Sequence, residues 1–379
     1  MQEKTEPTGF SFPGSGDRGN MDSLTTQKKD IKSMTLDELR ADMKAQGQPS
    51  YKALQIYRWL HRGVSSFEEM TDLSKLVRQF LNEKYYISVA RVENKLVSDY
   101  DNTIKYLFSF ADGQCVEAVL MEYQHGRSIC ISTQVGCKMG CTFCATGLGG
   151  FQRNLTASEM LSQVQAAQKD AGVRIGNIVL MGMGEPLDNY ENVLRFLKLV
   201  SSQEGMNLGM RHISLSTCGL VDRIYDLAKE NLQLTLSVSL HAPNDEIRSK
   251  TMPVNRRYPI EELLKACRHY ASHTGRRISF EYAMIDGVND SDDCARELAA
   301  RLKGMLCHVN LIPVNPVQEA GYQKSGRQRQ QAFIRILEKA DITATVRRTL
   351  GADINASCGQ LRRKHLKEGG SVDAICRTD

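Results

Sequence analysis

From residue 128 onward the chain repeats one pattern six times: a short apolar run, then a longer stretch whose apolar positions recur at helical spacing. The runs SICIST, NIVLMGMG, RHISLST, LTLSVSL, ISFEYAMI and HVNLIPV read as strands. The stretches TASEMLSQVQAAQKDAG, NYENVLRFLKLVSSQ, GLVDRIYDLAKE, PIEELLKACRHYASH, DCARELAARLKG and RQQAFIRILEKAD read as helices. Six β–α pairs in series predict an α/β fold with a parallel sheet and right-handed crossovers. Six strands suit a partial (β/α)6 barrel of the TIM type better than a closed eight-stranded one. Chemistry in such folds gathers at the C-terminal ends of the strands. The polar and glycine-rich segments QVGC, MGMGEP, STCG, SLHAPND, DGVND and PVNP all fall there.

The chain ahead of this repeat has another character. Residues 1–33 are rich in Gly, Ser, Thr, Lys and Asp and are expected to be a disordered tail. Residues 34–87 hold three helical patterns, TLDELRADMKAQG, SYKALQIYRWLHRG and LSKLVRQFLNEKY, and are expected to form a small N-terminal helical domain. Residues 88–126 contain IKYLFSF and CVEAVLMEY around the turn ADGQ and read as a short β connector. The repeat then occupies 127–345, and 346–379 forms a C-terminal segment.

Composition narrows the picture. The chain has 379 residues, 41% of them hydrophobic, enough for one large core with appendages. No apolar run approaches the roughly 18 residues of a membrane span, and the first residues lack the apolar core of a secretory signal. A cytoplasmic protein is expected, with no membrane partner. In that reducing compartment the eleven cysteines point to metal ligation, catalysis or core packing rather than structural disulfides. A net charge of +5 is compatible with a nucleic-acid partner without demanding one.

Three of the cysteines, Cys137, Cys141 and Cys144, lie in VGCKMGCTFCATG, directly after the first strand. The loop is too polar and glycine-rich to be core. A structural zinc site wants four protein ligands, and no suitable fourth follows. A redox pair at Cys141 and Cys144 leaves Cys137 idle. Three thiolates do suit a [4Fe–4S] cluster with one iron left open for a small molecule. Elsewhere, Cys130 lies on the strand that feeds this loop, and Cys358 sits in the non-periodic GADINASCGQLRRKH beside Arg362, Arg363 and Lys364, which favour a thiolate.

The C-x-x-x-C-x-x-C spacing, with Phe143 before the last cysteine, resembles the radical S-adenosylmethionine enzymes. The segments SICISTQVGCKMGCTFCATG, FQRNLTASE, VLMGMGEPLDNYENV, LSTCGLV, SVSLHAPNDEIRSKTMPVN, HVNLIPVNP and DINASCGQL together resemble the RlmN family of dual-specificity RNA methyltransferases over residues 34–366. That resemblance implies methylation of carbon 2 of adenine 2503 in 23S rRNA and of adenine 37 in tRNAs. It implies Cys137, Cys141 and Cys144 as cluster ligands, and Gly184, Glu185, Ser216, Ser239, Leu240, His241 and Asn315 as contacts to S-adenosylmethionine. Two molecules of this cosubstrate are spent per turnover: one methylates Cys358, the other yields a radical that activates the S-methyl group. Cys130 resolves the resulting adduct by forming a disulfide with Cys358, and Glu117 serves as acid–base residue. A flavodoxin-type electron donor and a monomer are further implications. Two other readings stay open: the sister activity at carbon 8 of the same adenine, which confers antibiotic resistance, and a zinc-stabilised RNA-binding module without catalysis.

Overall fold

The computed structural model describes residues 28–314, 321–354, 356 and 360–367. One ten-stranded sheet runs across the molecule with its strands in chain order: β1 (Arg91–Val97), β2 (Ile104–Ser109), β3 (Cys115–Tyr123), β4 (Gly126–Cys130), β5 (Ile175–Leu180), β6 (Ile213–Thr217), β7 (Thr235–Ser239), β8 (Ile278–Met284), β9 (Cys307–Pro313) and β10 (Ala344–Val346). From β1 to β4 the pairings are antiparallel. From β4 to β10 they are all parallel. This is the partial (β/α) barrel that the repeat predicts, with β1 and β10 as its edges.

Eleven helices are described: α1 (Leu36–Ala45), α2 (Tyr51–Arg62), α3 (Lys75–Lys84), α4 (Ala157–Ala171), α5 (Tyr190–Ser201), α6 (Val221–Lys229), α7 (Asp245–Thr251), α8 (Ile260–Thr274), α9 (Asp292–Leu302), α10 (Arg327–Glu338) and α11 (Gln360–Lys367). Their limits follow from local chemistry. At α4, Thr156 and Glu159 close a reciprocal capping box, and Gly172 ends the helix at φ 63°. One apolar core then runs from Ile31 through the α1–α3 helices and the sheet to Ala344.

Three features depart from the expected plan. The residues read as a separate connector are strands of the main sheet, because the C-terminal half of β3, Val119 to Tyr123, pairs with β4. Residues 29–33, expected in the tail, are structured: Lys29–Asp30 pairs with Tyr85–Tyr86, and Ile31 and Lys32 are buried, while the rest of the expected tail, 1–27, lies outside the described residues. A seventh parallel strand, β10, extends the expected six.

The β2–β3 hairpin has two faces of opposite use. Tyr106, Phe108, Val116, Ala118 and Leu120 point into the main core. The other face carries Lys105, Leu107, Cys115, Glu117 and Val119, and the C-terminal segment lies against it. There Leu361 of α11 packs on Leu107 and Cys115. Leu350 and Ala356 pack on Val119, Met121 and Cys130.

Two buried histidines bear on stability. His61 has no hydrogen-bond partner on either ring nitrogen, and burial pushes its pKa down to about 4. Burial lowers His241 to about 3. Both are neutral in the fold, so the unfolded chain takes up their protons first as pH falls below about 6.5. Stability should therefore be complete above that pH and decline below it, by about 2 kcal/mol per histidine at pH 5. Urea midpoints recorded from pH 7.5 to 5 check this. A flat profile in that window would contradict it.

Candidate active site

The three cysteines sit in the long loop between β4 and α4. A short ribbon, Gln134–Gly136 paired with Phe151–Asn154, closes its base. The ribbon can close only with glycine at 136. That residue has φ 81°, and an added Cβ would stand 1.8 Å from the Gly150 carbonyl oxygen. Inside the loop, the Cys137 N–H donates to the Gly150 carbonyl at 3.0 Å and the Cys144 N–H to the Cys141 carbonyl at 3.1 Å. Gly136→Ala should therefore disturb the loop without touching a thiol. Iron bound after reconstitution is the measurement, and a several-fold lower content is expected.

All three thiols are half-buried. Burial raises Cys137 to about 11 and Cys141 to about 12, and the neighbouring thiols add to both shifts. Without a metal Cys137 and Cys141 are neutral thiols. Among the described residues no three or more His, Cys, Asp or Glu side chains converge tightly enough for a single metal ion. A four-iron cluster makes a different demand, since each thiolate bonds a separate iron and the sulfurs need not meet at one point. The donor set of three cysteines with no fourth protein ligand fits such a cluster.

The strand ends around the loop carry the other predicted residues. Gly184 follows β5 at φ 99°, where a Cβ would come within 2.5 Å of Gln134 Cβ. Glu185 is buried. Its Oε2 accepts the Cys218 N–H at 2.7 Å, and its Oε1 accepts the Leu187 N–H at 3.0 Å. Burial raises its pKa, and those hydrogen bonds oppose the rise. Ser216 and Ser239 are half-buried residues of β6 and β7. Leu240 and His241 follow β7 with their N–H groups on the Glu281 carbonyl. His241 Nδ1 accepts the Ala283 N–H at 2.8 Å, which leaves the ring proton on Nε2. Its ring meets that of Phe143 edge-on at 4.8 Å, tying the cysteine loop to the end of β7. Asn315 and Cys358 lie outside the described residues.

Glu117 is buried on the other side, with Lys105 Nζ 3.2 Å from its Oε2. The N–H of Arg362 donates to its Oε1 at 2.7 Å. Cys130, at the end of β4, is buried among Val119, Met121 and Ala356. The structure thus brings Cys130, Glu117 and the C-terminal segment to one region of the hairpin, and the cysteine loop, Glu185 and His241 to the adjoining strand ends.

Several residues of this site were not singled out by the sequence. Gln134 accepts the Glu185 N–H and donates to Asn154 and Asp188, so it joins the ribbon to the end of β5. Arg248 of α7 is fully buried. It donates to the carbonyls of Cys218 at 2.6 Å, Ser239 at 3.2 Å and Leu240 at 3.1 Å, and to Asn255 Oδ1 at 2.9 Å. It thereby ties the ends of β6 and β7 together. Lys105 left one signal, a lysine inside the apolar IKYLFSF, and its partner Glu117 stands in the facing strand.

Comparison with known proteins agrees with this geometry. The family model "Radical SAM superfamily" matches residues 131–298, and "Ribosomal RNA large subunit methyltransferase N-terminal domain" matches 29–87. A protein of Alkaliphilus oremlandii named "Probable dual-specificity RNA methyltransferase RlmN" is 54% identical over 341 residues, 90% of this chain and 99% of that one. A Clostridium tetani protein with the same name is 51% identical over 88% of this chain and 96% of its own. The crystal structure of a radical SAM methyltransferase from Sphaerobacter thermophilus superimposes with a TM-score of 0.84 at 48% identity, over 88% of this chain and 98% of that one. Likeness of this extent, over both the helical region and the barrel, makes the chain a member of the RlmN family of dual-specificity RNA methyltransferases, within the radical S-adenosylmethionine superfamily.

Proposed function

We propose that the protein methylates carbon 2 of an adenine in 23S rRNA and in tRNA, with Cys358 carrying the methyl group and Cys130 releasing the product. One observation carries this reading. The chain on either side of Cys358 is fixed to the two other residues that the reaction needs. Ala356, two residues before it, packs against the cluster of Val119, Met121 and Cys130. Arg362, four residues after it, hydrogen-bonds Glu117. A C-terminal segment with no part in the chemistry has no need to bridge those two groups.

Cys137, Cys141 and Cys144 would hold the cluster. Glu185, with Gly184, Ser216, Ser239, Leu240, His241 and Asn315, would receive S-adenosylmethionine. When bound, the cluster and a second cosubstrate supply a radical able to remove a hydrogen atom. The remaining steps belong to the chain. Carbon 2 of adenine has no acidic proton and does not attack a sulfonium, so the methyl group needs a carrier. The Cys358 thiolate attacks the sulfonium methyl carbon and becomes a thioether. Activated by loss of one hydrogen atom, the S-methyl carbon bonds to carbon 2. Glu117, held beside Lys105, would take the proton that leaves that carbon. The Cys130 thiolate then attacks the Cys358 sulfur, and the carbon–sulfur bond breaks toward carbon, which takes up a proton to become the methyl group; the unpaired electron of the adduct returns to the redox centre that supplied it, and a disulfide remains. An external electron donor of flavodoxin type supplies the electron for radical formation, and two further electrons and two protons from a reductant restore the thiols.

The test uses S-adenosylmethionine labelled in its methyl group. Anaerobic protein with reductant and no RNA should show the label on the peptide that contains Cys358. Adding RNA should move the label to adenine. Label that reaches RNA without passing through Cys358 would refute the carrier role.

A further inference from the structure

One buried carboxylate inside the barrel has no part in the steps above. Glu281 lies in β8 and is only 3% exposed. Its neighbours along the strand, Phe280 and Tyr282, belong to the apolar core together with Leu227 of α6 and Leu264 of α8. Glu281 therefore points to the opposite, inner face of the sheet. Register fixes what stands beside it there. Ser239 of β7 and Asn310 of β9 are its direct partners. One step back along the strands, Ser216, Ser237 and Ser279 form a second polar row. The carbonyl of Glu281 also accepts the N–H groups of Leu240 at 3.0 Å and His241 at 3.2 Å. Glu281 thus lies in one patch with four of the residues assigned to S-adenosylmethionine.

An ionised carboxylate has about four acceptor positions, two on each oxygen. Oε1 of Glu281 accepts the Ser279 hydroxyl at 3.1 Å, and Oε2 accepts the Asn310 amide at 2.8 Å. Each oxygen keeps one position open. Among the described residues no lysine or arginine forms an ion pair with it. His308 shares the face one row back, but burial lowers its pKa, so it is neutral at pH 7, and its Nε2 is engaged with the Thr345 hydroxyl. A buried carboxylate without a cation or a full set of donors is costly, so a ligand that brings two donors binds with advantage. The ammonium of S-adenosylmethionine is not that ligand group once Glu185 holds it. Glu185 follows β5, three strands from β8, about 14 Å along the sheet. The adenine amino group turns only one N–H toward a given carboxylate, because its two hydrogens diverge. The ribose offers two adjacent hydroxyls, one for each oxygen.

We propose that Glu281 binds the ribose of S-adenosylmethionine, its two oxygens accepting the 2′- and 3′-hydroxyls while Ser279 and Asn310 hold the carboxylate in place. This rests on the assignment of Ser216, Ser239, Leu240 and His241 to the cosubstrate given above. It makes the site select a ribonucleoside over its deoxy forms. The ribose hydroxyls are unchanged whether the cosubstrate gives up its methyl group or is cleaved, so one residue serves both uses.

The experiment is calorimetric titration of iron-loaded protein, kept free of oxygen, with S-adenosylhomocysteine and its 2′-deoxy and 3′-deoxy forms. The parent compound carries the same ribose and has no methyl group to lose. Wild-type protein should bind each deoxy form about 10- to 100-fold more weakly than the parent. Glu281→Gln should bind the parent more weakly and should hold all three ligands alike to within about threefold. Deoxy forms that bind the wild type as tightly as the parent would overturn the proposal, and that comparison stands even if Glu281→Gln does not fold. A variant that loses affinity equally for all three ligands, and so keeps the wild-type preference, would overturn it in favour of a carboxylate that only holds the strand ends. Wild-type protein that holds its iron and does not bind the parent would overturn the assignment of the cosubstrate site, and the proposal with it.

Discussion

With Cys130 replaced by Ala, the protein should remain covalently joined to its RNA. Cys130 enters only after the methyl carbon has bonded to adenine, so its loss blocks the step that cuts the carbon–sulfur bond. Its side chain packs with Val119, Met121 and Ala356, and Ala in its place removes one buried sulfur. That costs roughly 1–2 kcal/mol, too little to unfold a core of this size. Methylation of Cys358 in the absence of RNA should persist. On a denaturing gel the variant should shift to a slower species that ribonuclease collapses, and multiple turnovers should vanish. Free methylated RNA formed at the wild-type rate would show that another group resolves the adduct.

Arg248→Met should carry a large stability penalty. The guanidinium is fully buried and satisfies three carbonyls on two strand ends together with Asn255. Methionine keeps much of the volume and satisfies none of them. Leaving several buried acceptors unpaired costs about 3–5 kcal/mol. The penalty reaches function through geometry, since the freed carbonyls belong to Cys218, Ser239 and Leu240. The N–H of Cys218 also holds the Glu185 carboxylate. Affinity for S-adenosylmethionine should therefore fall along with the urea midpoint. Arg248→Lys should recover only part of both, because one ammonium cannot reach all four acceptors. A midpoint within about 1 kcal/mol of wild type in Arg248→Met would show that water replaces the guanidinium.

The parts of the fold that were legible in the sequence are those with strong periodicity. The six apolar runs became β4 to β9, and the six amphipathic stretches between and after them became helices. Most of what was missed has weak apolar patterning. β1 reads RVENKLV, and all but one of its residues are exposed. β10 has three residues, two of them exposed. The helix α7 is seven residues of DEIRSKT with two buried positions. The connector was misplaced for another reason. A hairpin's own alternation shows that it forms, but not which strand its outer edge will pair with.

The site divides in the same way. Cys137, Cys141 and Cys144 are legible because their spacing is local. Glu185 and His241 stand in short motifs at strand ends. Arg248, Gln134 and Lys105 act through partners 7 to 54 residues away, as the separations of their side-chain hydrogen bonds and the Lys105–Glu117 pair show. Gln134 and Arg248 lie inside segments that the sequence singles out and Lys105 inside an apolar run, but the sequence does not show which groups they join. Arg362 did stand out as one of a basic group near Cys358, but its burial and its hydrogen bond to Glu117 are visible only in three dimensions.

The central claim is the carbon that receives the methyl group. The direct measurement is mass spectrometry of nucleosides from protein-free 23S rRNA after anaerobic incubation with reconstituted enzyme, S-adenosylmethionine and reductant. The account predicts 2-methyladenosine, absent when Cys358 is replaced by Ala. A carbon-8 product, or no product from enzyme that holds its iron, would contradict it.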